Sequence, residues 1–415
     1  MRNLFALFCS VLVFCACASQ TQSTQKADKD ELNLAKLKAE CEKNNAKSCY
    51  ELGFLLIEAP DKYDSEKSGK LFDDKMLNSA KKYLLKSCDL NYADGCTIYA
   101  VSIMMSAFND LDLSSSGKTK LQKSFADKSF TLNKVIGKDK TANMIKYLQK
   151  ACNLGSAQGC GSLGEVYQSQ IKDKKLSFSY YTKACEVAQP NKDNDKAIGW
   201  DCMKIGVAYY NGESVAKNNE KALKYFLKGC ELSNFICGNY VRKFYKGYNG
   251  ELIKVPQDYE FAFQLAKKGC DLKDGESCNY LGILYEEGKG TTQDLKRAFW
   301  TFQKLCYQET YGEMGYETLG CYNLALCYAN GKGVEQDYKR AFNSFKELCD
   351  KDKMSSACAI TGEYYYNAKG IRQDYRKAME YFGKACDMGE QSGCDNHKMM
   401  KQMPFRYGLK DEDFK

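Results

Sequence analysis

CNYLGILYEEGKGTTQDLKRAFWTFQKLC, residues 278–306, contains the pattern that decides the fold. Its first half reads as one helix that opens at Cys278. Leu281-Gly282 and Tyr285 follow that cysteine at helical spacing, so they share one helix face. Because Gly282 has no side chain, another helix can approach this face closely while the tyrosine fills the space beside it.

The second half of the stretch predicts a second helix. Gly288-Lys-Gly290 ends the first helix, since glycine readily adopts the left-handed conformation of a helix C-cap. Asp294 then stands as an N-cap residue before Ala298 and a row of aromatic residues. The helix closes at Cys306, so the stretch predicts one helical hairpin between two cysteines.

Cysteines repeat this hairpin along the chain. They form close pairs, five of which are eight residues apart, and the interval from one pair to the next is 28 residues in four cases. Together the two spacings give a period of 36 residues. The pairs are Cys41–Cys49, Cys88–Cys96, Cys152–Cys160, Cys185–Cys202, Cys230–Cys237, Cys270–Cys278, Cys306–Cys321, Cys349–Cys358 and Cys386–Cys394.

A hairpin of this size cannot bury a useful core alone, so neighbouring hairpins must stack. The sequence therefore predicts an all-α fold, a right-handed α/α superhelical solenoid of about eight disulfide-stapled helix pairs. The solenoid is expected over residues 31–403, with an exposed insert at 108–140 and a C-terminal tail at 404–415.

Composition favours disulfides over metal sites. The chain has 22 cysteines but a single histidine and no C-x-x-C motif, which excludes repeated zinc sites, and no cofactor is predicted. Disulfides require an oxidising compartment. The net charge of +8 comes from lysines scattered among acids, whereas a nucleic-acid partner would need clustered basic residues.

The first residues predict export. Arg2 precedes an apolar run and a set of small residues, the pattern of a signal peptide over residues 1–18. Two cleavage sites fit: one after residue 18, and one that leaves Cys17 as a lipidated first residue. Residues 19–30 then form a polar tether. We expect the periplasm, the outer membrane surface or secretion, with membrane contact only through the candidate lipid anchor.

These motifs carry a family resemblance. The order L-G-x-x-Y, G-x-G, D-x-x-K/R-A and Y-F-x-K-A-C resembles the SEL-one-like repeat, a relative of the tetratricopeptide repeat. The frame C-x7-C, once per unit, looks like that of the Helicobacter cysteine-rich protein family. Members of that family have been described as penicillin-binding proteins and β-lactamases, so the resemblance implies a β-lactam or cell-wall peptide as an alternative ligand.

Each cysteine pair is predicted to form a disulfide. Its first member ends a second helix and its partner opens the next first helix, and helices approach to bonding distance near their connecting turn. Each bridge fastens one hairpin to the next. Cys327 is left over at an interior position, where a buried, inert thiol is expected.

The sequence gives the enzyme hypothesis little support. Ser79-x-x-Lys82 and Ser115-x-x-Lys118 match the S-x-x-K pattern of serine β-lactamases, but S-D-N and K-T-G motifs do not accompany them. A catalytic triad would have to use His397, in the closing helix.

A binding groove has a better physical basis, because stacked helix pairs expose a long concave face. If the opening cysteine takes the slot of the tetratricopeptide tryptophan, groove residues follow it by one, five and eight positions. We therefore expect a scaffold that binds a protein or peptide partner, with a weak β-lactamase or penicillin-binding protein as the alternative. The groove candidates are Met203, Val207, Tyr210, Arg242, Tyr245, Asn279, Ile283, Glu286, Glu363 and Tyr366.

Overall fold

The computed structural model describes residues 26–58, 74–109, 137–190, 193–250, 254–307 and 316–402. The chain divides into two compact units, unit 1 (Met1–Ser233) and unit 2 (Asn234–Lys415). The described residues of both are mainly helical, and the predicted all-α solenoid of helix pairs is confirmed.

Unit 1 contains nine α-helices in its described part. They are α1 (Lys26–Glu42), α2 (Ala46–Glu58), α3 (Asp74–Asp89), α4 (Ala93–Asn109), α5 (Lys138–Asn153), α6 (Ala157–Val166), α7 (Lys174–Val187), α8 (Gly199–Asn211) and α9 (Asn219–Leu232). A π-helical turn, Tyr167–Ile171, follows α6, and a 3-10 helix, Asp193–Ile198, precedes α8.

The described part of unit 2 contains nine more helices and a two-stranded antiparallel hairpin, β1 (Tyr248–Asn249) with β2 (Lys254–Val255). The helices are α10 (Asn234–Lys246), α11 (Tyr259–Asp271), α12 (Gly275–Glu287), α13 (Leu295–Tyr307), α14 (Tyr316–Asn330), α15 (Tyr338–Asp350), α16 (Ser355–Asn367), α17 (Tyr375–Asp387) and α18 (Gln391–Gln402).

The helices pack as the predicted pairs. In unit 1, α2 packs on α3, α4 on α5, α6 on α7 and α8 on α9; in unit 2, α10 packs on α11, α12 on α13, α14 on α15 and α16 on α17. First helices of successive pairs also touch, as α10 touches α12 and α12 touches α14. Each unit is therefore layered, with its first helices side by side.

Local sequence signals set the helix ends. The carboxylate of Asp337 accepts a hydrogen bond from the Arg340 backbone N–H at 2.9 Å, and Asp374 caps the next second helix in the same way. Gly288 ends α12 at φ 66°, in the left-handed region. In the last pair Ala368 takes this cap conformation instead of a glycine.

The predicted cysteine pairs lie at bonding distance. Eight pairs have Cα–Cα distances between 4.4 and 5.2 Å: Cys41–Cys49, Cys88–Cys96, Cys152–Cys160, Cys185–Cys202, Cys270–Cys278, Cys306–Cys321, Cys349–Cys358 and Cys386–Cys394. Cys230 and Cys237, the remaining predicted pair, are both disulfide-bonded as well. Cys327 is buried and unbonded, as expected.

The core of four hairpins places an aromatic ring against a glycine. Phe226 of α9 lies over Gly206 of α8, and Phe382 of α17 lies over Gly362 of α16. Both rings are almost completely buried. The absence of a Cβ lets the two helix backbones approach while the ring fills the gap.

Some predicted boundaries differ from the structure or lie outside its described part. Helix α1 begins at Lys26, inside the predicted tether 19–30. Helix α4 continues to Asn109 and α5 starts at Lys138, so both ends of the predicted insert 108–140 are helical; buried Met104 and Ala107 keep α4 packed on the core to its end. The leader 1–18 with Cys17, the centre of the insert and the tail 404–415 lie outside the described residues.

Candidate binding face

Five of the predicted groove residues lie on neighbouring first helices of unit 2. Arg242 and Tyr245 belong to α10, and Asn279, Ile283 and Glu286 belong to α12. Arg242 is exposed and the other four are half-buried. We call this surface, from α10 to the turn after α14, the first-helix face of unit 2.

Side chains of α10 reach across to α12. The Nη1 atom of Arg242 lies 3.3 Å from Oε1 of Glu276, whose side chain is 12% exposed. The hydroxyl of Tyr245 donates a hydrogen bond of 2.6 Å to Oε2 of Glu287. Two predicted groove side chains are thus held in place by the next helix pair.

The same relationship links α12 to the following pair. The Asn323 amide donates a hydrogen bond of 2.7 Å to Oδ1 of Asn279, and the Lys332 ammonium, in the turn after α14, contacts Glu286. Four of the five predicted residues therefore bond to the next first helix or the turn that ends it. The result is a ladder of polar contacts across three helix pairs.

Tyrosine rings form the apolar part of the face. The ring of Tyr245 lies 5.1 Å from the ring of Tyr280 and 5.5 Å from that of Tyr259, between ring centroids. The Lys289 ammonium lies 5.0 Å from the Tyr259 ring centroid, within reach of a cation–π interaction. Burial, with the hydrogen bond to Glu287, raises the pKa of the Tyr245 phenol, so it stays protonated as a donor.

Carboxylates at the start of α12 are partly desolvated. Burial raises the pKa of Asp274 to about 6, although Ser277 donates two hydrogen bonds to it. Burial, with the nearby charge of Glu276, raises the pKa of Tyr316 to about 12.

The side-chain oxygen of Asn239, in α10, is buried and accepts no hydrogen bond from a described residue. This oxygen is closed to solvent, so it offers a ligand no accessible acceptor.

The two remaining candidates of unit 2 lie on α16. Glu363 is exposed as a residue. Partial desolvation of its carboxyl group nevertheless raises the pKa, in spite of the opposing charge of Lys369. Tyr366 is half-buried, with its ring 5.3 Å from the ring of Tyr375. Both side chains are accessible to a ligand.

The three candidates of unit 1 are buried, contrary to their predicted role as groove residues. Met203 is fully buried, and its methyl group packs where a side chain on Gly229 would lie. Val207 and Tyr210 are 6% and 7% exposed. Because Gly229 leaves room for Met203 against α9, this part of α8 faces the interior and offers a ligand little surface.

Unit 1 contains a charged cluster that was not predicted from the sequence. The Lys204 ammonium lies 3.0 Å from Oδ1 of Asp201 and 3.3 Å from Oε2 of Glu165, and the Tyr181 hydroxyl donates to the same Glu165 oxygen at 2.7 Å. Burial raises the pKa of Asp201; although burial favours the neutral amine, the carboxylates hold the pKa of Lys204 above its usual value.

The sequence feature that could have indicated this cluster is a tyrosine, Tyr181, at a position where other hairpins have phenylalanine. Tyr181 lies over Gly164, four residues before a paired cysteine. Phe226, Phe302 and Phe382 hold that position in other hairpins. A phenol there brings a hydroxyl into an apolar column, where it needs hydrogen-bond partners. Glu165 and Lys204 supply them.

The residues considered for catalysis are dispersed. Ser79 and Lys82 are both exposed, and the Ser79 hydroxyl donates to the backbone carbonyl of Lys75 at 2.9 Å. The second S-x-x-K match, Ser115 to Lys118, lies outside the described residues. Burial, with the charge of Lys401, lowers the pKa of His397.

Cys327 has the character of an inert thiol. It is 1% exposed, and burial, with the nearby charge of Glu286, raises its pKa to about 12. A thiol with such a pKa carries almost no thiolate at neutral pH.

In the described part of the chain, no group of three or more His, Cys, Asp or Glu side chains is placed to hold a metal ion. None of the described helices is long and apolar enough to cross a membrane.

Comparison with known proteins gives a family match. A family model described as Sel1 repeat matches seven segments between residues 145 and 390, a span of more than half of the chain: 145–156, 159–187, 202–234, 247–274, 275–309, 318–351 and 355–390. A segment of 42 residues is 50% identical to "Beta-lactamase HcpA" of Helicobacter pylori strain J99. This segment spans 10% of the chain and 17% of that protein.

Two solved structures are similar over most of their length. A Sel1 repeat protein from Oxalobacter formigenes is 17% identical, with 88% of this chain and 89% of that chain covered and a TM-score of 0.44. A protective antigen of uropathogenic Escherichia coli with an SLR fold is 18% identical, with 92% of each chain covered and a TM-score of 0.26.

Proposed function

The chain belongs to the Sel1 repeat family, and on that premise we propose that it is an exported scaffold that binds a protein or peptide partner through the first-helix face of unit 2. Sel1 repeat solenoids are typically protein-interaction scaffolds. Stacked repeats suit this task, because each adds a few side chains to one extended surface.

The ladder of polar contacts is the observation that carries the proposal. Arg242, Tyr245, Asn279 and Glu286 are each bonded to the next first helix or its turn while they stay at least partly accessible. Side chains fixed in this way lose less conformational entropy when a ligand binds. A surface that served only solubility would not need cross-helix positioning.

The chemistry of the face favours an uncharged, extended peptide segment. Cations and carboxylates alternate on it: Arg242 beside Glu276, and Lys332 beside Glu286. Such balance does not attract a polyanion. Tyrosine rings offer such a segment rigid contact area.

The disulfides support export. A series of bonded cysteine pairs indicates an oxidising compartment, such as the periplasm or the extracellular space. The scaffold would then meet its partner outside the cytoplasm.

A random-peptide library panned against the oxidised protein tests the proposal. Selected peptides should bind the wild type, and Arg242→Glu and Tyr245→Ala should each weaken binding about tenfold or more, as expected for central interface residues. Lys339→Glu, an exposed change on the second helix α15, is the matched control. If no peptide is enriched, or if the selected peptides bind all variants alike, the first-helix face is not the binding surface.

The short match to "Beta-lactamase HcpA" makes β-lactam hydrolysis the alternative. Purified oxidised protein should then turn over a chromogenic cephalosporin. Turnover that survives purification and is lost on Ser79→Ala or on a change in the first-helix face would favour the enzyme. If the protein neither hydrolyses the cephalosporin nor becomes acylated by it, this alternative is wrong.

A further inference from the structure

An aromatic and basic stripe runs along α13, on the side that does not enter the core. Trp300 and Tyr307 are 62% and 68% exposed, the highest exposures of any large hydrophobic side chain in the described part of the chain. Exposed Lys296 and Lys304 stand between and beside them. These four residues, the α13 stripe, lie within one helix face and extend over about 16 Å.

Repeat packing does not require the stripe. The four residues stand ten, six and two positions before Cys306 and one after it, and no other helix that ends in a paired cysteine has an aromatic residue at these places. The position after the cysteine is acidic in seven of them: Glu42, Asp89, Glu186, Glu231, Asp271, Asp350 and Asp387. In α13 this position is Tyr307.

The charge of α13 is also unusual. The helix contains Lys296, Arg297 and Lys304 but no Asp or Glu. Arg297 pairs with the capping carboxylate of Asp294 at 3.3 Å. Lys296 and Lys304 form no ion pair with a described residue, so the stripe presents two uncompensated positive charges beside two exposed rings.

We propose that the α13 stripe docks the protein on the surface of an anionic lipid bilayer. Tryptophan and tyrosine have an apolar body and a polar tip, which suits them to the level of the lipid headgroups. Lysine stems cover apolar surface while their ammonium groups remain beside the phosphates. An acidic side chain, repelled by such a surface, is absent from the helix. This contact would be additional to the lipid anchor considered from the sequence.

Vesicle binding by the oxidised full chain tests this proposal, with Cys17→Ser in every variant so that no acyl chain can anchor it. The protein should sediment with phosphatidylglycerol-containing vesicles at low salt and far less with pure phosphatidylcholine vesicles. Trp300→Ser with Tyr307→Ser, and Lys296→Glu with Lys304→Glu, should each weaken binding at least about tenfold. The matched control is Lys339→Glu, which changes the residue that corresponds to Lys296 in α15.

Fluorescence gives an independent readout, because the chain has two tryptophans. In a Trp200→Phe background, the emission of Trp300 should shift to the blue when anionic vesicles are added. Unchanged emission, equal binding by the double variants, or no preference for the anionic lipid would overturn the proposal. Binding to soluble polyglutamate as tight as to vesicles would also overturn it, since it would show a general contact with polyanions.

Discussion

The ring of Phe382 fills the space into which a side chain at Gly362 would project: a Cβ atom there would lie 2.7 Å from the ring atom Cδ1. We predict that Gly362→Ala forces the two helices of the last hairpin apart and lowers the free energy of unfolding by about 1–3 kcal/mol. Chemical unfolding of the oxidised protein measures this change.

Gly383 provides the matched control, because the nearest atom to its added Cβ, Nε2 of His397, is 3.6 Å away. Gly383→Ala should be neutral or stabilising, since alanine favours a helix. Equal effects of the two changes would show that close packing on Phe382 is not the cause.

Removal of one disulfide tests how strongly each hairpin is fastened to the next. Cys349→Ala with Cys358→Ala opens a bridge between residues nine positions apart, and a loop of this length contributes about 2–3 kcal/mol by chain entropy. Unfolding under non-reducing conditions should show this loss. Cys327→Ala removes a buried but unbonded sulfur. The prediction would be contradicted if the double variant lost no more stability than twice the loss caused by Cys327→Ala.

Asp274 should make stability depend on pH. Burial raises its pKa from 3.8 to about 6, so the folded protein holds the proton more tightly than the unfolded chain. The contribution of Asp274 to stability is therefore fully present below pH 4 and is lost as the pH rises through 6. Relative to Asp274→Asn, which also caps α12, the wild type should gain about 2 kcal/mol between pH 7 and pH 4. A difference that does not change with pH would contradict the assignment.

The charged cluster of unit 1 predicts that the stability of the folded protein depends strongly on Lys204. Lys204→Met leaves the carboxylates of Asp201 and Glu165 without a counterion, which should cost about 2–3 kcal/mol for a lysine side chain that is one-third exposed. Addition of Asp201→Asn and Glu165→Gln should recover most of this loss. Unfolding curves that show no recovery would assign the loss to packing around the lysine stem instead.

Groove positions could be predicted only in part from the spacing of the repeat. The spacing of one, five and eight residues after the cysteine found Arg242, Tyr245 and Asn279, which lie on an accessible face. The same rule selected Met203 and Val207, which are buried. No pattern within α8 distinguishes these cases, because room for Met203 is made by Gly229 on another helix.

The sequence by itself determined the helix pairs, their caps and the cysteine pairing. These features depend on residues close together in the chain, such as Asp337 and Arg340, or Cys270 and Cys278. Only the tertiary structure decided which groove side chains reach solvent and which charges meet, as Lys204 meets Glu165 from 39 residues away. Accessibility and electrostatic pairing depend on atoms that folding brings together from different helices, and a local pattern cannot contain them.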